Sequence, residues 1–538
     1  MTAKATESRS SRTGAAFLCL VGGLLATLWV ALPRTWLVAE RFTSPKAILF
    51  HAAAMATGAA CLAGVRRFRL DAVDLSMGAF AALGVLSALT VAHNPWLALG
   101  AVGVTLSGSI LFASTRALAE SGRREAILLA VAIAAGLLAL SMLLEAYGPL
   151  QGLSISKRAP GGMLGHRNRA AHLLVLSLSV SWLCFIRARD RRILGMLLAC
   201  VMGTGAAVTL SRSRAAWLAL LVLGLVMAVA WGLGRRGGRE TRRRSVGFVA
   251  ALLAGAAVAF VAPNALQWQN SYLDTLRRMG EHDAGSGRGR LIQYANTLRM
   301  VADAPLLGVG PGNWMVHYPR YATPGDPSYA VDDLIPVASL PQSDWVGLLA
   351  ERGVPALLML CALAGLLLVE CWKHARQEAH PEIWAEAVAL AATLAGLLVL
   401  GSLDAVLLTP TATFFVAVIV GALARPQRER VVIAPNARRR AAAIAGVILL
   451  TGSPLVYSAV RGWSWHLLYI QPRTMERAAR AVRLDPGGYA ARVHMGLMKI
   501  RTGQCEQALV VLLEANRLLP YAEAPRRAWS RCQPGAPH

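Results

Sequence analysis

The sequence predicts an all-α, polytopic membrane protein of about 13 transmembrane helices, and three observations carry that expectation. Apolar residues make up 55% of the chain and the mean hydropathy is +0.48, too hydrophobic for a water-soluble globule. Apolar runs of about 20 residues, long enough to span a bilayer as helices, recur as far as residue 460. The arginines stand in short clusters between those runs, where they fix orientation. The formal charge of +26 is therefore a topological signal, and nucleic acid is not an expected partner.

Lys4, Arg9 and Arg12 precede the first run, 14–32. It is long and lacks a small-residue cleavage pattern before Pro33 and Arg34, so it reads as a retained span rather than a signal peptide, with residues 1–13 cytoplasmic. Further runs lie at 47–65, 75–93, 97–115, 125–147, 170–186, 193–210, 215–234, 246–264, 354–371, 383–401, 407–424 and 441–460. The strongly basic loops alternate: 66–69, 116–124, 187–192, 235–244, 372–382 and 425–440. The positive-inside rule makes these cytoplasmic. Loops 148–169, 211–214 and 265–353 then face the other side, and an odd number of spans sends the tail there too. In a diderm bacterium this is an inner-membrane protein with a membrane domain at 14–460, a long periplasmic loop at 265–353 and a periplasmic helical domain at 461–538.

In the tail, Ala481, Arg483, Leu484 and Pro486 recur 34 residues later as Ala515, Arg517, Leu518 and Pro520. That is tetratricopeptide-repeat spacing, with small Gly496 and Ala508 placed for close helix contact. A plain helical cap is the alternative. One complete repeat cannot bury its own face, so the tail should lean on the membrane domain or on a partner. Six of the eight cysteines fall in or beside apolar runs, and no CxxC or Cys/His pattern marks a zinc or iron–sulfur site. Cys505 and Cys532, the two in the tail, fit either a disulfide or two thiols.

Chemistry that needs water has few places in such a chain, and the stretch from Gly285 to Gly353 is the roomiest. Three constellations lie on its side of the membrane: Gly165-His166-Arg167-Asn168 with Ala171, Ser211-Arg212-Ser213-Arg214-Ala215-Ala216-Trp217, and the long loop itself. A lone arginine at a span's edge is explained by snorkelling. Several from separate loops on the less basic face suit a diphosphate, whose oxygens match the guanidinium fork.

These segments, in this order, resemble the O-antigen ligase and polymerase family of membrane glycosyltransferases. The resemblance rests on Gly165, His166, Asn168 and Ala171; on Ser213, Arg214, Ala216 and Trp217; on Arg290, Leu291, Tyr294, Met300, Asp303 and Pro305; and on Gly308 to Trp314 with Tyr318 and Pro319. It implies a GT-C-like enzyme that moves a glycan from a polyprenyl diphosphate, undecaprenyl in bacteria, to a hydroxyl of a glycan or lipid-core acceptor. Neither nucleotide sugar, cofactor nor essential metal is implied. Carried over, Arg214 and Arg290 contact the donor diphosphate with Arg212 and Arg288 as alternates, while His166, Asn168, Gly310, Gly312, Asn313 and Tyr318 shape the site. Polymerisation stands slightly ahead of ligation, and protein O-glycosylation third. A non-catalytic scaffold and a lipid-linked sugar transporter are readings from other classes. The transporter should show intramembrane polar residues or inverted repeats, and neither is evident.

One departure bears on mechanism. Members carry a histidine, assigned as base or acceptor-positioning group, ahead of an acidic residue and a downstream E-x-G. Counting back from Glu351 and Gly353, this chain has Gln342-Ser343-Asp344. Glutamine cannot take a proton near neutrality. Asp344, Asp332 or Asp333 takes over, the transition state needs little base, or the chain is inactive; His317 is a further option. Asp332 and Asp333 are also a conceivable cation pair, though adjacent loop carboxylates are ordinarily solvated. Asp344 is a candidate base only if its helix begins after Gln342, because a helical offset of two turns it about 200° away.

Overall fold

Backbone amides cannot go unbonded in hydrocarbon, so each apolar run closes its own hydrogen bonds as a helix. The computed structural model describes residues 2–33, 38–65, 67–154, 159–233, 238–266, 272–277, 285–330, 333–377, 381–425, 431–470 and 473–532. The expected spans become α1 (Thr2–Trp29), α2 (Val38–Gly64), α3 (Ala72–Thr90), α4 (Pro95–Leu118), α5 (Arg124–Tyr147), α6 (Arg167–Arg187), α7 (Arg191–Ser211), α8 (Arg214–Leu233) and α9 (Arg239–Val261). After the long loop, with its short helices α10 (Tyr272–Arg277), α11 (Gly285–Asp303) and α12 (Trp314–His317), come α13 (Asp344–Gln377), α14 (Pro381–Leu403), α15 (Pro410–Leu423) and α16 (Ala437–Tyr469). Ten helical segments among the described residues are long and apolar enough to cross a membrane. One of them, Pro95–Tyr147, holds α4 and α5 across a kink where Gly122 takes φ 90°. Counting both arms, with the shorter apolar helices Thr13–Trp29 and Pro410–Leu423, the number comes to the expected thirteen. The protein is an all-α, multi-pass membrane protein.

The post at the centre is α6, with 83% of its apolar window buried against 22% for α8. Its serines are kept from being orphans: Ser177 and Ser181 donate back to the carbonyls of Leu173 and Ser177, and Ser179 bonds Thr393 of α14 at 2.7 Å. Because α6 is so enclosed, whatever its first residues carry is held rigidly at one mouth of the bundle.

Pairing separates the two ends. A two-stranded ribbon, β1 (Phe68–Leu70) with β2 (Val431–Ile433), joins the α2–α3 and α15–α16 loops at the basic end. At the other end Asn94 donates to the Gly487 carbonyl of the tail (3.2 Å), and Asn168 meets Asp404 beyond α14. The tail folds as α17 (Met475–Leu484), α18 (Tyr489–Arg501), α19 (Cys505–Leu518) and α20 (Ala524–Ser530). A Cβ on Gly496 would come within 2.6 Å of Leu512, so α18 and α19 approach as closely as that glycine allows. Cys505 and Cys532 are bonded, settling the open alternative for a disulfide. Val316 of the long loop shares a buried cluster with Tyr489, Val493, Ala515 and Leu519, so the tail does lean on the membrane domain.

Contrary to the sequence expectation, polar groups do lie inside the spans. His51 bonds Ser107 at 2.8 Å, and Arg352 of α13 is buried with one nitrogen donating to Thr105 (2.6 Å) and its cation over Phe80. Pattern reading missed His51 because it is a single polar residue within an apolar run, and Arg352 because it stands just ahead of the run at 354–371, in a stretch of α13 that the hydropathy did not assign to a span.

Candidate functional site

Arginines from three elements converge at the mouth of α6. α7 ends at Ser211, and Arg212 turns the chain in the left-handed region (φ 49°), a conformation costing an L-residue about 1–2 kcal/mol. That turn lets α8 start at once, so Arg212 and Arg214 both stay at the rim. The Arg212 guanidinium lies 4.0 Å from the centre of the Tyr272 ring of α10. Arg167, the first residue of α6, has Arg214 and Arg212 as its interacting charged neighbours. α11 adds Arg290, half-buried, whose Nε is buried with no hydrogen-bond partner among the described residues; Arg288 on the same helix is exposed.

Tyr294, one turn beyond Arg290 and therefore on the same helix face, fixes α11 in place. Its hydroxyl donates to the carbonyls of Ser402 and, at 3.0 Å, of Gln342. This docks α11 on the last turn of α14, two residues before Asp404. The Asp404 carboxylate accepts from Asn168 Nδ2 (3.3 Å) and from the Ala405 amide (2.9 Å), and forms no ion pair among the described residues. Arg169, His166 and His172 of α6 and Tyr294 of α11 all feel its charge. His166 opens to solvent, yet loss of water on its inner side, then the Arg169 and Arg167 cations, hold its pKa below the usual value against the pull of Asp404. Below this group is a cavity of about 40 Å³, lined by Phe42, Lys46, Arg169, His172, Val406 and Thr409 among others. That is room for one or two waters, and His172 Nε2 is buried there without a hydrogen-bond partner among the described residues.

The residues at the departure point serve the same loop. α13 begins at Asp344, after Gln342. Asp344 is nevertheless fully buried, its carboxylate accepting from the amides of Val406 (3.0 Å), Leu407 (2.9 Å) and Leu408 (3.3 Å). Ser343 Oγ donates to the Gly401 carbonyl at 2.9 Å. Gln342 is engaged through its main chain, its N–H donating to Gln293 Oε1 at 2.5 Å and its carbonyl accepting from Tyr294.

The glycine-rich turn has a packing role. Gly308, Gly310 and Gly312 all have positive φ, and a Cβ on Gly308 would lie 2.4 Å from the Ala350 carbonyl oxygen. Val309 and Gly310 donate to the carbonyls of Ala350 and Glu351, just where Gly353 (φ 77°) breaks α13. Asn313 clamps this turn to Asn94, accepting its amide and donating to its carbonyl. Tyr318 is buried in the loop's own small core, hydrogen-bonded to Asp326 and Asn296. His317 stands beside His93 against the tail, where burial, then the His93 and Arg320 charges, push its pKa down to about 4. Asp332 lies outside the described residues, and Asp333 is exposed.

The structure thus places Arg212 and Arg214 beside Arg167, and Arg290, His166 and Asn168 around His172 and Asp404; it holds Gln342 and Asp344 beneath the adjoining loop, and sets Gly310, Gly312, Asn313 and Tyr318 to one side as loop scaffold. Sequence reasoning missed Arg169, His172 and Asp404. The first two had a signal: three apart, they share one face of a helix start. Asp404, a single carboxylate at a span's edge, had none.

A family model described as O-antigen ligase matches residues 198–361. The match takes in α8, α9, α11, the glycine turn and the start of α13, while α6 and Asp404 lie outside it. No curated protein matches the chain.

Proposed function

We propose that this chain, matched over residues 198–361 by the O-antigen ligase family model, transfers a glycan from a polyprenyl diphosphate, undecaprenyl in bacteria, to an acceptor hydroxyl on the periplasmic face of the inner membrane. One observation carries this reading: Arg167 at the start of α6 feels the charges of Arg212 and Arg214 at the α7–α8 turn, and Arg290 of α11 has a buried Nε with no hydrogen-bond partner among the described residues. Neighbouring cations raise one another's energy, and an anionic ligand relieves it. A diphosphate supplies the charge, and its oxygens fit the forks of Arg214 and Arg290, with Arg212 turned toward Tyr272 and Arg288 more exposed.

As the bond to the diphosphate breaks, charge builds on the leaving oxygen, and fixed guanidinium groups stabilise it without reorganising. No metal or cofactor enters. Polymerisation is favoured over ligation because Gln342 stands where ligases carry histidine. The alternating basic loops and the tail disulfide, a bond of oxidising compartments, support the periplasmic assignment. The helical tail, read as a repeat, is the surface for an assembly partner.

The test is purified protein in nanodiscs given an undecaprenyl-diphosphate-linked glycan. Donor consumption with a ladder of longer lipid-linked chains is the polymerase result, and glycan on an added lipid-core acceptor the ligase result. Consumption of nucleotide sugars alone removes the proposal.

A further inference from the structure

We infer that Asp404 is the general base of this site, filling the place left by Gln342; the inference rests on the lipid-diphosphate reading above. Four observations lead to it. The Tyr294 hydroxyl bonds the carbonyls of both Gln342 and Ser402, so the end of α14 meets the chain at position 342, with Asp404 two residues beyond Ser402 at the start of the α14–α15 loop. The loop is then fixed from below, by Asp344 on the amides of 406–408 and by Ser343 on the Gly401 carbonyl. Asp404 itself is held by two neutral donors, Asn168 and the Ala405 amide, and forms no ion pair among the described residues, so lone pairs remain free. Its charge reaches Arg169, while Tyr294 links it to the face of α11 that carries Arg290.

The other carboxylates fit the task less well. Asp344 is sealed in and saturated by amides, and Asp333 is exposed on the long loop. In the step, Asp404 takes the proton of the acceptor hydroxyl as its oxygen bonds the anomeric carbon. The bond from that carbon to the diphosphate oxygen breaks, and its electron pair leaves on the polyprenyl diphosphate between the arginines. The proton then passes to water or to the departing diphosphate.

The experiment compares full-length parent, Asp404→Asn, Asp404→Glu and His166→Gln in nanodiscs, measuring kcat and KM for donor over a pH series. Asn preserves the acceptor for the Ala405 amide, so folding is kept. Groups facing Asp404 that also titrate or carry charge are His166, His172 and Arg169 on α6, Arg290 and Tyr294 on α11, and Asp344 on α13. The expected result is a fall in kcat of about 10²–10⁴ for Asp404→Asn, with donor KM little changed and the acid limb of the profile gone. Asp404→Glu retains part of the rate and a shifted limb, and azide or formate restores part of the activity of Asp404→Asn. An Asn variant with the parent's rate and acid limb overturns the assignment, as does a rise in donor KM at unchanged kcat, or an acid limb lost only in His166→Gln. A parent protein that consumes no lipid-linked donor overturns the functional reading itself, and this inference with it.

Discussion

The two ends of the bundle both gather arginine, and they surround it differently. At the basic end Glu386, its side chain 5% exposed, receives Arg124 (2.5 Å), Arg425 (2.8 Å) and Arg187 (3.0 Å) from three different parts of the chain. Nearby, Arg116 binds both Asp71 and Asp74 and reaches the Arg425 carbonyl. At the other end Arg167 faces Arg212 and Arg214, the Arg290 Nε is buried with no hydrogen-bond partner among the described residues, and Asp404 forms no ion pair among them. A guanidinium withdrawn from water needs an acceptor. At the basic end carboxylates tie arginines, and with them helices, together; at the other end the proposed ligand supplies the acceptor for Arg290.

The largest effect should come from breaking the closed end. Glu386→Ala strands three cations at once and should lower stability by about 3–5 kcal/mol, the cost of removing one partner of a buried pair, read as earlier thermal unfolding in detergent. Transfer per folded molecule should stay near the parent's. The mirror-image change is Arg290→Ala, which should leave unfolding unchanged while transfer falls by about 10²–10³, as for loss of one preorganised donor. Lysine at 290 should restore little, since it lacks the fork. If Glu386→Ala abolished transfer in folded protein, or Arg290→Ala unfolded it, the contrast between structural and ligand-binding arginine would collapse.

A smaller and more local effect tests whether the tail is anchored independently of either end. Replacing Cys532 by Ser opens a 27-residue link and should cost about 2–4 kcal/mol, confined to α18–α20. Hydrogen exchange should rise there while the spans keep their protection. Loss of protection reaching α6 would mean that the tail supports the site.

What could be read in advance follows from how each feature is encoded. Thirteen spans and two unlike ends were legible because hydropathy and arginine placement are patterns over many residues. Helix ends were less so: α1, α13 and α16 run beyond their apolar stretches, since polar turns continue a helix wherever neighbouring chain accepts them. Arg212, Arg214 and Arg290 stood out as arginines in order on one side of the membrane. Asp404 did not, because its place depends on Tyr294, Ser343 and Asp344, residues 60 to 110 positions earlier that clamp its loop by hydrogen bonds. The helix containing Asp344 does begin after Gln342, the condition under which it was a candidate base, yet three backbone amides occupy it; helical phase could not foresee a loop from another helix arriving there.

The smallest effect is expected at Gln342 and separates main chain from side chain. Its N–H and carbonyl lock the start of α13 to Gln293 and Tyr294, and neither bond depends on the residue's identity. Gln342→Ala should therefore keep the loop in place and change transfer by less than about tenfold, well below the loss at Arg290. Histidine at 342 restores a group that titrates near neutrality beside a loop already carrying Asp404, so a second base would compete for the acceptor proton. The rate should hold or rise modestly, and the acid limb of the pH profile should move toward pH 6.5, the imidazole range, because the new group works only when unprotonated. With Asp404→Asn as background, Gln342→His should recover more activity than it adds to the parent. Equal increments in both backgrounds would show that position 342 and Asp404 do not serve the same hydroxyl, and the two halves of the mouth would have to be read as separate sites.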